Sequence, residues 1–225
     1  MKFSHSEENR DGRLLDVLTG QEDGLRIIVS RLGAELISMS RINESGEWIG
    51  FLYRDNDFTA PSEGWTNHAT VMGYYLHRLK NGSSVYRGRE IKGGTHGFLR
   101  GKTWHLAKCL INESGGSLKY RIEPDDFSPT EYSLKVSVDL TFQIDANGVS
   151  VAFEFRNHES ELTAHVSFGL HPGLVPLRSK PFIYKCRADC TDDIFRRAII
   201  CRAKRARLIF AVAKCPSPEP SSPGR

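Results

Sequence analysis

No stretch of the chain approaches the roughly eighteen consecutive apolar residues that a membrane-spanning helix needs, so no spanning helix is expected. The start is just as poor in apolar text. Lys2 to Arg13 reads KFSHSEENRDGR, which holds no apolar core of a secretory signal. Cysteine is scarce where a framework would need it: Cys109 stands alone before Ser179. The total of 5 is odd, and without a signal this argues against a disulfide scaffold. A cytoplasmic protein is the expectation. Helical periodicity is also missing, since no segment before residue 179 sustains a 3.6-residue repeat over three turns.

What the sequence does contain is alternation. Leu134, Val136, Val138, Leu140, Phe142 and Ile144 stand against Lys135, Ser137, Asp139, Thr141 and Gln143. That is the period of a half-buried antiparallel strand. Asn147-Gly148 is hairpin-turn chemistry, and Val149, Val151, Phe153 and Phe155 resume the pattern. Leu118 to Ile122 alternates too, and Leu14–Leu18, Leu25–Val29 and Leu36–Met39 are further strand candidates. Many short strands, glycine turns and almost no helix imply an all-β fold, a large and mostly antiparallel β-sandwich. At 225 residues one such domain is expected over 14–178, with 1–13 loose or disordered.

The last part reads differently. From Ser179 onward there are 11 Lys/Arg against 4 Asp/Glu, and Cys186, Cys190, Cys201 and Cys215 crowd together. Their spacing lacks the short pairs of zinc ligands. No alternation is evident over 179–225. Ile194 to Ala213 suggests a basic, partly amphipathic helix, and the Pro/Ser-rich 216–225 suggests disorder. The arginines at 196, 197, 202, 205 and 207 read as a solvated face, so nucleic acid is not expected as a partner. The abrupt change fits a reading-frame slip, a wrong gene model or an alternative end. Translating the coding DNA past residue 176 in the other frames distinguishes these.

The candidate chemistry lies in two blocks. Gly93-Gly94-Thr95-His96-Gly97-Phe98-Leu99-Arg100-Gly101-Lys102-Thr103-Trp104 is a glycine-rich loop that presents a histidine. Phe168-Gly169-Leu170-His171-Pro172-Gly173 presents a second, seventy-five positions on. His77, His105, His158 and His165 read as exposed or satisfied histidines, and Cys109 as a small buried hydrophobe.

The His-Gly-Phe-x-Arg-x-x-x-Trp block, the Gly-x-His-Pro block, Arg78, Gly82 and the opening Gly33-Ala34-Glu35-Leu36 together resemble the aldose 1-epimerases, or galactose mutarotases. The resemblance runs over about 14–176. It implies a galactose mutarotase-like sandwich with an aldohexose in an open cleft and no cofactor. It also implies an isomerase that opens and recloses the sugar ring by acid–base catalysis. By resemblance His171 is the acid at the ring oxygen, His96 hydrogen-bonds the same region, and Arg78 anchors a hydroxyl through its fork of donors. Trp65 or Tyr74 is a candidate apolar face for the ring. The family's base is a glutamate that follows several more strands and a sugar-binding aspartate. Glu219, in a proline–serine tail, is no match for it, so the sandwich is expected to be incomplete at its C-terminal end and inactive as written. The alternative is a non-catalytic carbohydrate-binding sandwich that keeps Arg78, His96 and His171 as contacts. A third reading is a fragment whose unpaired edges misfold.

Overall fold

The structure is a computed structural model that describes residues 2–22, 24–59, 63–86 and 88–175. Of the later chain it describes the backbone of 184–189, 194–195, 198–201 and 205–212. Two antiparallel sheets face one another. The first runs, in spatial and chain order, β1 (Phe3–Arg10), β2 (Arg13–Gly20), β3 (Leu25–Ser30), β4 (Glu35–Ile42) and β5 (Trp48–Gly50). Between the sheets the chain forms β6 (Ala69–Met72) and a small hairpin of β7 (Ser83–Tyr86) and β8 (Arg89–Lys92). The second sheet is built on β9 (His105–Ile111), β10 (Gly115–Ile122), β11 (Val136–Asp145) and β12 (Gly148–Asn157). β13 (Ala164–Val166) and β14 (Gly169–Pro172) follow, and β14 pairs with β6.

The long hairpin forms where the alternation places it. β11 and β12 pair in unbroken register from Val136↔Asn157 to Asp145↔Gly148. Their apolar positions turn inward, and Val138, Leu140, Phe142, Val151, Phe153 and Phe155 are all fully buried. They meet Leu18, Ile27, Val29 and Leu36 of the first sheet in one continuous core. The outward face departs from simple alternation, because Ser137 and Asp139 are buried as well. Asp139 accepts two hydrogen bonds from Arg121 and one from Arg156, whose stems cover it.

Two sequence expectations are corrected. Residues 1–13 are not loose: β1 pairs with β2 along its whole length, Phe3↔Gly20 to Arg10↔Arg13. The side chains there are polar because β1 is an edge strand, held by backbone bonds and by a polar node. The helix expected over Ile194–Ala213 is instead three strands, β16 (Ile194–Phe195), β17 (Ala198–Cys201) and β18 (Arg205–Val212). β18 pairs with β12 on one side and with β15 (Tyr184–Asp189) on the other, while β17 lies between β13 and β16. Strands therefore do follow Pro176. Short apolar runs are ambiguous by periodicity, and here the open backbone edges of β12 and β13 decide the outcome. The expectations for disorder over 216–225, for the later cysteines' chemistry and for a reading-frame slip lie outside the described residues.

The polar node centres on Asp16, which is fully buried between the sheets. It accepts hydrogen bonds from Arg31 Nε and Nη2 at 2.9 Å and from Tyr120 Oη at 2.9 Å, and His5 Nε2 lies 2.9 Å away. Arg31 also donates to Glu7, which ties β1 down a second time. Burial pushes the Asp16 carboxyl up, but the bonds from Arg31, His5 and Tyr120 together outweigh it and hold it below the ordinary carboxylate range. A depressed folded-state pKa gives stability that is present above the unfolded value and is lost as pH falls through the folded one. Asp16→Asn should therefore flatten the loss of stability below about pH 4, measured as urea midpoints across the acid range. Equal acid slopes in the two proteins would refute this.

Candidate active site

The His96 loop is tied to the segment that leaves β6. Gly73 donates to His96 O at 3.2 Å, and Phe98 donates back to Gly73 O at 2.9 Å. This close approach demands glycine. Gly97 has φ +72°, and a Cβ there would lie 2.0 Å from Gly73 O. Behind the loop, Trp104 is buried and its Nε1 donates to Leu99 O at 3.2 Å. Trp104 N and Gly33 N bond across to Arg31 O and Lys102 O, which fixes the loop to the first sheet. The glycines thus let the loop approach its neighbour, and the tryptophan locks it.

His171 comes from β14. Its register partner on β6 is Thr70, and β6 is in turn held by Glu35 of β4. Glu35 Oε1 accepts from His68 N at 2.7 Å and from Thr70 Oγ1 at 3.5 Å. The two blocks then meet. The His96 and His171 rings are 6.4 Å apart, edge to face. His171 is exposed and His96 half-buried. Trp65 stands edge-on to His171 at 4.6 Å, and its buried Nε1 has no hydrogen-bond partner among the described residues. Arg78 is exposed beside the loop, with Nε donating to Thr95 Oγ1 at 3.0 Å. Its terminal nitrogens make no hydrogen bond among the described residues. His96, His171 and Arg78 therefore lie together on one open face.

Tyr74 is corrected: it is 1% exposed and its hydroxyl donates to Val136 O at 2.9 Å. It packs on Phe98, Phe127 and Tyr132 and cannot offer a face to a ligand. His77, expected to be an exposed or satisfied histidine, is exposed and lies beside His96. Its backbone N–H donates to His96 Nδ1 at 3.3 Å, its carbonyl accepts from His96 N at 2.7 Å, and the rings are 6.0 Å apart. The only local signal was its place next to Arg78. His158 and His105, by contrast, are satisfied by Ser137 and Asp126.

The electrostatics around His96 are one-sided. Desolvation, then Arg100, His171, His77 and Arg78, all push its pKa below the ordinary imidazole value. It is neutral at pH 7, and because Nδ1 accepts from His77 the proton sits on Nε2. Among the described residues, the set with metal-ligand spacing is His5, Glu7 and Asp16, and the Arg31 guanidinium already binds both carboxylates there. A separate cavity of about 400 Å³ lined by Arg89, Tyr132, Lys135 and Glu159 takes no part in this face, and its Arg89 is paired with Glu159.

The fold and this face define a galactose mutarotase-like β-sandwich. The chain belongs to the aldose 1-epimerase family, whose model matches residues 16–175. No curated protein matches the sequence. Among solved structures it is similar to a protein of Synechocystis sp. PCC 6803, at TM-score 0.64 and 16% identity over 79% of this chain and 60% of that one. A galactose mutarotase related enzyme from Lactobacillus acidophilus gives TM-score 0.58 and 17% identity, covering 94% and 65% of the two chains. A galactose mutarotase-like protein from Clostridium acetobutylicum gives TM-score 0.57 and 13% identity, covering 75% and 54%. The chain thus spans less than two thirds of each of these structures. No helix among the described residues is long and apolar enough to cross a membrane.

Proposed function

We propose that the protein interconverts the α and β anomers of a free aldohexose, using His171, His96 and Arg78 on the open face. The observation that carries the proposal is the 6.4 Å approach of the two imidazoles, from blocks seventy-five residues apart. Anomer exchange needs one proton removed from the C1 hydroxyl and one delivered to the ring oxygen. The C1–O5 bond breaks, C1–C2 rotates, and the ring recloses on the other face. Both transfers are between oxygens, so groups that exchange protons near neutral pH suffice. His171, exposed and with no hydrogen bond among the described residues, delivers the proton to the ring oxygen. His96, neutral with Nε2–H outward, donates a hydrogen bond to the same region. Arg78 directs its terminal nitrogens at a ring hydroxyl while Thr95 holds Nε. Trp65, against His171, offers its flank to the sugar.

Polarimetry on freshly dissolved α-D-glucose and α-D-galactose tests this. The expected result is mutarotation faster than in buffer, first order in protein. Sugar binding by calorimetry with no acceleration would replace the enzyme with a carbohydrate-binding module.

A further inference from the structure

We propose that Glu35 is a positioning residue of this reaction: its carboxylate holds the β6–β14 ribbon to the first sheet and so sets where His171 stands relative to His96. This role rests on the anomerase reading above and adds the part that fixes its geometry.

Glu35 opens β4, and its side chain is only 12% exposed. A carboxylate withdrawn from water costs free energy unless hydrogen bonds compensate it. Among the described residues no lysine or arginine pairs with Glu35; its carboxylate is aimed at β6 and the residue that enters it. Oε1 accepts from His68 N at 2.7 Å and from Thr70 Oγ1 at 3.5 Å, and His68 Nδ1 lies 3.6 Å away. The other ring nitrogen of His68, Nε2, donates to Asp57 O at 2.9 Å, since a carbonyl only accepts.

The ribbon needs such a tie. β6 and β14 form a two-stranded sheet of their own, apart from both large sheets. Thr70 is directly opposite His171, so the two side chains leave the ribbon on one face. At the next step along the ribbon His68 O accepts from Gly173 N at 2.8 Å. Glu35 therefore grips β6 at the level of His171 and its neighbour. Backbone bonds from Tyr53 N to Gly173 O and from Val175 N to Phe51 O secure the chain beyond His171, at 2.7 and 2.9 Å.

The same turn reaches the other histidine block. Gly33 and Ala34, just before Glu35, have φ +74° and 44°. Gly33 N donates to Lys102 O at 2.7 Å, and a Cβ on Gly33 would lie 2.7 Å from Arg100 O. Arg100 and Lys102 belong to the His96 block. One turn of three residues thus docks on that block through Gly33 and on the His171 ribbon through Glu35. The 6.4 Å between the two rings is set across this shared turn. Displacing a proton carrier by about 1 Å costs about 10²-fold in rate.

The test separates the reach of the side chain from its charge. Glu35→Gln keeps the reach and an acceptor oxygen and loses the charge. Glu35→Asp keeps the charge and draws the oxygens back by one methylene. Glu35→Ala removes both. Each is made in the full chain and followed by polarimetry, sugar binding by calorimetry, urea midpoints and the imidazole NMR signals of His171 and His96. Those signals are assigned by their loss in His171→Ala and His96→Gln. The expected result is a fall in kcat of about 10–10²-fold in the aspartate and alanine variants, with KM and sugar affinity little changed. The His171 signals should shift in both while those of His96 stay. Glu35→Gln should keep kcat within about threefold of the parent. A glutamine variant as slow as the aspartate one would make the charge the agent and overturn the proposal. So would Glu35→Asp at the parent kcat, or a loss shared by KM, the urea midpoint and the signals of both histidines. Should Glu35→Ala fail to fold, the glutamine and aspartate pair still decides. If the parent accelerates mutarotation and His171→Ala stops it while Glu35→Asp does not, the positioning role alone falls. If the parent accelerates nothing, the anomerase reading falls and takes the catalytic meaning of Glu35 with it.

Discussion

His171→Ala should lower the catalysed rate of anomer exchange by about 10²–10⁴-fold, the usual worth of one positioned proton carrier. The fold should survive, because the side chain is exposed and makes no hydrogen bond among the described residues. Among the described residues its one ring neighbour besides His96 is Trp65 at 4.6 Å. Near-UV dichroism and the urea midpoint should match those of the parent protein. The loss should fall on kcat, since the proton is delivered only in the transition state. His96→Gln gives a useful contrast. Glutamine retains an N–H donor, so hydrogen bonding to the sugar can persist, and a smaller loss is expected, partly in KM. A His171→Ala protein that mutarotates at the parent rate would remove His171 from the reaction.

Phe153→Asp should abolish cooperative folding. Phe153 is fully buried: it stacks beside Phe155 at 6.3 Å and packs on Phe168 at 4.8 Å. Truncating such a side chain costs about 3–5 kcal/mol. An unpaired carboxylate in its place adds several kcal/mol more. Domains of this kind carry only about 5–15 kcal/mol in total. Size exclusion should show aggregate or an expanded chain, and near-UV dichroism should be lost. Leu110→Asp is the control: Leu110 lies on edge strand β9 and is 49% exposed, so little change is expected. A monomeric Phe153→Asp protein with a sharp urea transition would mean that the two sheets do not pack through this face.

The same contrast shows where sequence reading succeeds. Period-two alternation reports, residue by residue, which side of a strand leaves water, and it is strongest where one face meets a deep core. That made β10, β11 and β12 legible and placed Phe153 and Val138 inside. It fails where burial is decided by a partner from elsewhere. Asp139 reads as solvent-facing but lies under Arg121 and Arg156. Tyr74 reads as available to a ligand, yet Val136, Phe127 and Tyr132 enclose it. β1 reads as loose, yet its backbone pairs with β2 and its His5 meets Asp16.

By itself, then, the sequence determined the all-β class, the long hairpin and the two histidine blocks, because spacing along one strand and glycine beside a turn leave local marks. Only the tertiary structure decided that His96 meets His171, that Trp65 stands against His171, and that β18 closes on β12. Those outcomes depend on backbone hydrogen bonds between segments far apart in the chain. Such bonds use the same N–H and C=O groups at every residue, so no side-chain pattern announces them.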